Sequence, residues 1–245
     1  MKLASINIER SKHLKEVSDF VRSYNPDVLL LQELCERDIG LFEDLMGEYG
    51  LYAPVVLHPA EEELEPMGVM IIAKMPLTQT STQYYTGNGL RMEPIAMEID
   101  EKGRTVVDAS TNHRCLVSAD IEGFRIGTTH FTWSADGEAT PQQLLDVENL
   151  LLAAKAEASR GHGYLFAGDL NAPRGRTTFS RIAQNFTDAI PAHYTGSIDG
   201  TFHRAGNLPL MVDGLFHTPH YKVTNVLLNK GISDHMAITA TVEKA

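Results

Sequence analysis

Six places along the chain carry polar residues that neither a packed core nor an ordinary loop requires: Asn7, Glu33, His130, Asp169 with Asn171, Asp213, and Asp234-His235. Each lies within or beside an apolar run that reads as a strand, and ligand sites of sheet proteins gather at strand ends. Taken singly, each has an ordinary use. Asn7 and Asn171 suit turns, His130 suits a hydrogen-bonded core, and Asp234-His235 is a common polar turn. Asp213, inside Leu-Met-Val-Asp-Gly-Leu-Phe, is harder to explain away, because a buried carboxylate is costly unless paired. If Glu33, Asp169, Asp213 and Asp234 converge, two such charges about 4 Å apart repel by roughly 4 kcal/mol at an effective dielectric near 20. The cluster then needs a cation, a proton or cationic hydrogen-bond donors. Carboxylate and amide oxygens suit Mg2+ or Mn2+, whereas zinc asks for a tighter His/Cys set that Cys35 and Cys115 do not supply. With His130 and His235 as donors to an anionic oxygen or as a proton relay, the chemistry is metal-assisted hydrolysis of a phosphoester.

Strands and helices must alternate to bring these residues together. Residues 2–8 read as a strand ending at Asn7, and 11–23 as a helix capped by Ser11. Val28-Leu29-Leu30-Leu31 is a fully apolar strand leading into Gln32-Glu33, followed by a helix over 38–49. The segment 58–66, with Glu61, Glu62, Glu63 and Glu65 between prolines, reads as an exposed loop. Strands are expected over 68–74, 78–85, 94–99, 115–121 and 125–129, the last two joined by a Glu122-Gly123 hairpin turn. The longest helix should run over 141–160, with Pro141 in its first turn and Leu144, Leu145, Val147, Leu150, Leu151 and Ala154 on its apolar side. Tyr164 to Ala167 is a strand buried on both faces, which Gly168 lets turn sharply toward Asp169 and Asn171. A short helix over 177–184 and strands over 210–216, 221–228 and 236–242 complete the order. No linker or low-complexity tract divides residues 1–245, so one domain is expected.

A 245-residue chain with 43% hydrophobic and 22% charged residues has the composition of a soluble globular protein. Its formal net charge of −11 argues against an extended basic face for duplex DNA, although local contacts with nucleic acid stay open. Two cysteines make no disulfide framework, and free thiols are expected. The amino terminus shows no signal-peptide pattern and no apolar run is long enough for a bilayer, so a cytoplasmic protein without membrane contact is expected. Oligomeric state is not legible.

The ordered set Ser5-Ile6-Asn7, Leu31-Gln32-Glu33, Thr129-His130, Gly168-Asp169-Leu170-Asn171, Val212-Asp213 and Ser233-Asp234-His235 resembles the endonuclease/exonuclease/phosphatase superfamily over almost the whole chain. The resemblance implies a four-layer α/β/β/α sandwich, two mixed β-sheets packed face to face with helices outside. It implies Glu33 as the principal Mg2+ ligand (Mn2+ as a substitute), with Asn7 and Asp234 beside it. Asp169 would orient or deprotonate the attacking water, Asn171 would bind a phosphate oxygen, His235 held by Asp213 would contact the scissile phosphate, and His130 would stabilise the phosphate or leaving group. Trp133 is a candidate stacking surface, and Arg174 and Arg176 are candidates for a second phosphate or phosphodiester strand. The substrate implied first is a phosphodiester of nucleic acid. A small phosphorylated metabolite or lipid head group is the alternative that the acidic balance favours, and a silent binding module comes third.

Overall fold

The computed structural model describes residues 1–60, 63–99, 103, 105–108, 111–161 and 163–245. In chain order the elements are β1 (Lys2–Asn7), α1 (Leu14–Tyr24), β2 (Val28–Cys35), α2 (Ile39–Met46), β3 (Tyr49–Ala60), β4 (Glu63–Ala73), β5 (Thr78–Thr86), β6 (Met97–Ile99) and β7 (Thr105–Val107). There follow β8 (Arg114–Ile121), β9 (Phe124–His130), α3 (Pro141–Ala158), β10 (Leu165–Asp169), α4 (Thr177–Ala183), β11 (Thr187–Asp188), β12 (Asp213–His217), β13 (Tyr221–Asn229) and β14 (Ala237–Lys244).

Two six-stranded sheets form, ordered β13-β14-β1-β2-β4-β3 and β11-β12-β10-β9-β8-β5. Both are mixed. Each holds one parallel pair, β1 with β2 and β9 with β10, joined by a crossover that contains α1 or α3.

The apolar runs explain the layering, because a strand buried on both faces feeds two cores at once. Along β2, Val28 and Leu30 enter the core between the sheets, while Leu29 and Leu31 face the layer of α1 and α2 with Val17, Val21, Phe42 and Met46. Along β10, Leu165 and Ala167 enter the central core, while Phe166 packs with Val147, Leu150, Phe179 and Ile182 of α3 and α4. The layers are therefore helix, sheet, sheet, helix, as the resemblance implied. Cys35 and Cys115 are buried free thiols.

Several local expectations give way. The segment 58–66 is not a loop: β3 and β4 pair as far as His58↔Glu65 and Ala60↔Glu63, and the strand 49–60 was not foreseen (Glu61 and Glu62 lie outside the described residues). The strand accommodates Pro54 and Pro59 because it lies at the sheet edge and carries a register shift between Pro54 and Val56. Ser11 does not cap α1. Its hydroxyl donates to Asp38 at 2.6 Å, and the helix begins three residues later. Leu145 of α3 is exposed, outside the apolar side assigned to it. The Glu122-Gly123 turn is as expected, with Ile121 paired to Phe124 and both turn residues at positive φ.

Candidate active site

The carboxyl ends of the two parallel pairs meet at one edge of the sandwich. Asn7 ends β1, Glu33 lies near the end of β2, His130 ends β9 and Asp169 ends β10. Strand register does much of the positioning. Asp169 stands opposite His130 on one side and opposite Asp213, the first residue of β12, on the other, so three site residues form one row across the sheet.

Close approach within that row depends on Gly168, which lies inside the strand rather than at a turn. A Cβ there would come 1.9 Å from the Thr129 carbonyl oxygen. The turn follows it: Asn171 takes φ 47°, and its N–H donates to Asp169 Oδ1 at 2.8 Å.

Glu33 reaches the site by another device. The β2–β4 register slips between Gln32 and Leu34, and Glu33 sits unpaired in the bulge at φ 56°. A bulge re-aims a side chain, and a non-glycine residue in this region is strained. Its neighbour Gln32 is wholly buried and ties the sheets together, donating to Thr128 Oγ1 at 2.9 Å and Ser5 Oγ at 3.3 Å.

Asp169, 1% exposed, is buried beside one amide donor and two imidazoles. Asn7 Nδ2 donates to its Oδ2 at 3.0 Å, while His130 Nε2 and His235 Nε2 lie 3.5 Å and 3.7 Å from the same oxygen. Burial pushes its carboxyl up to about 7, His235 opposes that rise, and Asp213 adds to it. His235 donates from Nδ1 to Asp213 Oδ2 at 2.8 Å. Burial alone would depress the imidazole, yet Asp213, Asp169 and Asp234 together hold it well above the usual histidine range. His130 goes the other way: burial, then Arg114 and His235, keep it neutral. The two histidines of the one site are thus pushed in opposite directions. Perturbed groups of this kind concentrate where chemistry is done.

The carboxylates on the neighbouring wall suit a hard divalent cation. Burial raises the Asp234 carboxyl, His235 opposes this, and Glu9 and Glu33 push it further up, so three carboxylates share one field. All three line a cleft of about 570 Å³ together with His130, Asp169, Asn171 and His235. Oxygen donors without a thiolate match Mg2+ or Mn2+. Asp169, Asp213 and His235 also bring ligand atoms within 4.8 Å of one another. The bond from His235 to Asp213 makes that trio a proton-handling set first.

Four expected contacts look different in the structure. Asn7 presents its Nδ2, not its oxygen, to Glu33 (3.2 Å) and Asp169, while Oδ1 accepts from the Glu9 N–H at 3.1 Å. Through Nδ2 it orients both carboxylates. Asn171 Nδ2 donates to the Phe131 carbonyl at 3.0 Å and faces His130 Nε2 at 3.1 Å, so its N–H groups hold a histidine instead of a phosphate oxygen. Arg174 is not on the cleft. It pairs with Asp188 at 2.8 Å and donates to the carbonyls of Ile190, Pro191 and Tyr194, bracing a loop. Arg176 is not among the cleft-lining residues, although Asp136, whose carbonyl it contacts, is, and its other partner is Glu138. Trp133 does line the cleft. Sequence reasoning missed Glu9, Asn112 and Arg114 on the same walls, because none stands in a recognisable motif. The adjacency of Glu9 to Asn7 was the one available signal.

The family model for the Endonuclease/Exonuclease/phosphatase family matches residues 4–235, and the chain belongs to that family of phosphoesterases. Among solved structures, the catalytic domain of human Nocturnin, solved with a bound sulfate anion, superposes with a TM-score of 0.74 at 16% identity, covering 100% of this chain and 94% of that one. A mannosyl-6-phosphatase from Bacteroides thetaiotaomicron gives 0.69 at 12% identity with 99% of both chains covered. TDP2 from C. elegans gives 0.68 at 18% identity, covering 100% of this chain and 75% of that one. At these identities the likeness establishes the fold. A comparison with curated protein sequences gave no match.

Proposed function

We propose that this chain is a Mg2+-dependent hydrolase, with Mn2+ as a substitute, of a small phosphorylated molecule. The observation that carries the substrate class is the cleft. Its volume of about 570 Å³ falls in the range of small-molecule sites, and its walls come from both sheets and the 198–212 segment. Of the side chains expected to grip a phosphodiester strand, Arg174 is held by Asp188 and three backbone carbonyls, and Arg176 pairs with the exposed Glu138. The net charge of −11 further disfavours a polyanion. A mannosyl-6-phosphatase on the same fold is consistent with such a substrate.

The residues divide the work. Asp169, with its carboxyl near neutrality and its oxygens steered by Asn7 and the Asn171 N–H, takes the proton of the attacking water. His235, kept protonated by Asp213, donates from Nε2 to an oxygen on which charge develops. His130, neutral and fixed through Nε2 by Asn171, packs beside Asp169 Oδ2 and helps to keep that carboxyl in place. Glu33, with Asp234 and Glu9 on the same wall, would hold the cation, which when bound supplies Lewis-acid stabilisation of the phosphoryl group.

The test is phosphate release from sugar phosphates and p-nitrophenyl phosphate beside bis-p-nitrophenyl phosphate, nicked plasmid and abasic duplex, with Mg2+ and with EDTA. The small monoesters should turn over fastest and EDTA should stop them. Faster cleavage of duplex or plasmid would return the substrate to nucleic acid.

A further inference from the structure

Asn112, Arg114 and His130 line the cleft, and all are more than nine-tenths buried, at 4%, 3% and 6% exposure. Each leaves a buried polar atom without a partner among the described residues: Asn112 Oδ1, Arg114 Nε and His130 Nδ1. The topology brings them together. Arg114 opens β8 and His130 ends β9, and the antiparallel register Leu116↔Thr129 places both at the same end of the sheet. Asp169 and Asp213 lie on the other side of His130, and Arg114 stands one residue beyond the row at its β8 end, within electrostatic reach of Asp169 and Glu33.

Of the carboxylates within electrostatic reach of Arg114, Asp169, Glu33 and Asp146, the buried Asp146 takes its hydrogen bonds from other side chains. Oδ1 accepts from the Thr86 hydroxyl at 2.6 Å and Gln142 Nε2 at 2.8 Å, and Oδ2 from the Thr132 hydroxyl at 2.5 Å. The His130 tautomer follows from geometry as well. Asn171 Nδ2, fixed by its bond to the Phe131 carbonyl, faces Nε2, which therefore accepts and leaves the hydrogen on Nδ1. The unpartnered atoms are thus a guanidinium Nε–H and an imidazole Nδ1–H as donors, with one carboxamide oxygen as acceptor. Burying such groups unpaired is costly, and for a cation more so, unless a ligand completes them.

We propose that these three residues form a second subsite, which binds an oxyanion of the substrate other than the scissile phosphate, with a neighbouring hydroxyl donating to Asn112 Oδ1. This rests on the phosphoesterase reading and narrows it. The substrate is a small hydroxylated molecule carrying the phosphate to be cleaved and a second phosphate or a carboxylate. A guanidinium fork matches either group.

Kinetics with glucose 6-phosphate, glucose 1,6-bisphosphate and 6-phosphogluconate separate the two anion types. The wild type should prefer at least one doubly anionic compound. Arg114→Gln should cut that preference about 10- to 100-fold, as expected for a charge-assisted bond, chiefly through KM. Arg114→Lys should restore part of it, and Asn112→Ala, which removes no charge from the interior, should raise KM for all three compounds. No preference in the wild type, or an unchanged ratio in Arg114→Gln, or an unchanged KM in Asn112→Ala, overturns the subsite. A second arm needs no turnover: calorimetric titration of the metal-free protein, in EDTA, with inorganic phosphate. Binding that weakens at least tenfold in Arg114→Gln supports the proposal. Undetectable binding to the wild type, or equal binding to the variant, overturns it. If no phosphate ester is hydrolysed at all, the reaction assignment fails while the titration still decides the subsite.

Discussion

Glu33 holds a backbone conformation that a glutamate adopts only under constraint, at φ 56° in the bulge of β2. Strain of this kind costs of order 1–3 kcal/mol, so Glu33→Asn should stabilise the metal-free protein by about 1 kcal/mol in urea denaturation. The same substitution should raise the Mg2+ or Mn2+ concentration needed for half-maximal binding by tenfold or more. An unchanged metal titration would move the cation elsewhere. Asp169 makes a similar exchange. Its folded carboxyl titrates near 7, far above the roughly 3.9 of an unfolded aspartate, so burial penalises its charged form. That penalty is absent below pH ~4, grows as pH rises toward 7, and is constant above. Asp169→Asn should therefore raise the Tm of the metal-free protein at pH 8 more than at pH 4, while abolishing most turnover. His235→Ala should also remove most turnover, and its far-UV spectrum should stay that of the wild type. Near-wild-type rates in either variant would remove these residues from the mechanism.

The site was legible element by element wherever a strand was buried on both faces. The runs before Glu33 and Asp169 announce themselves because central strands need apolar residues toward two cores. The strand 49–60 did not, since an edge strand tolerates Pro54 and Pro59 and needs no continuous run. Register was out of reach as well. Nothing local states that His130, Asp169 and Asp213 stand side by side, because pairing partners lie dozens of residues apart. Gly168 shows how tightly that row is built. Gly168→Ala would press a methyl group into the Thr129 carbonyl, and should cost about 3 kcal/mol or more in chemical denaturation. A ΔΔG below about 1 kcal/mol would mean that β9 and β10 separate easily.

Over the whole molecule, the net charge of −11 sets a general repulsion toward polyanions. Any residual cleavage of plasmid DNA should therefore rise with added NaCl from low to physiological salt, the reverse of a protein that releases counterions from DNA. A rate that falls with salt would reveal a local basic track. Six separated polar sites, a carboxylate excess that calls for a hard cation, and strand runs buried twice over were determined by the sequence alone, since residue type and period set them. Tertiary structure decided what each side chain does with its hydrogen bonds. It turned Asn7 and Asn171 into positioning groups and spent Arg174 on Asp188. It also left Arg114 Nε without a partner among the described residues. The physical reason is that a polar atom's role depends on which partners reach it first, and those partners come from strands and loops that only folding brings within 3 Å or so of one another.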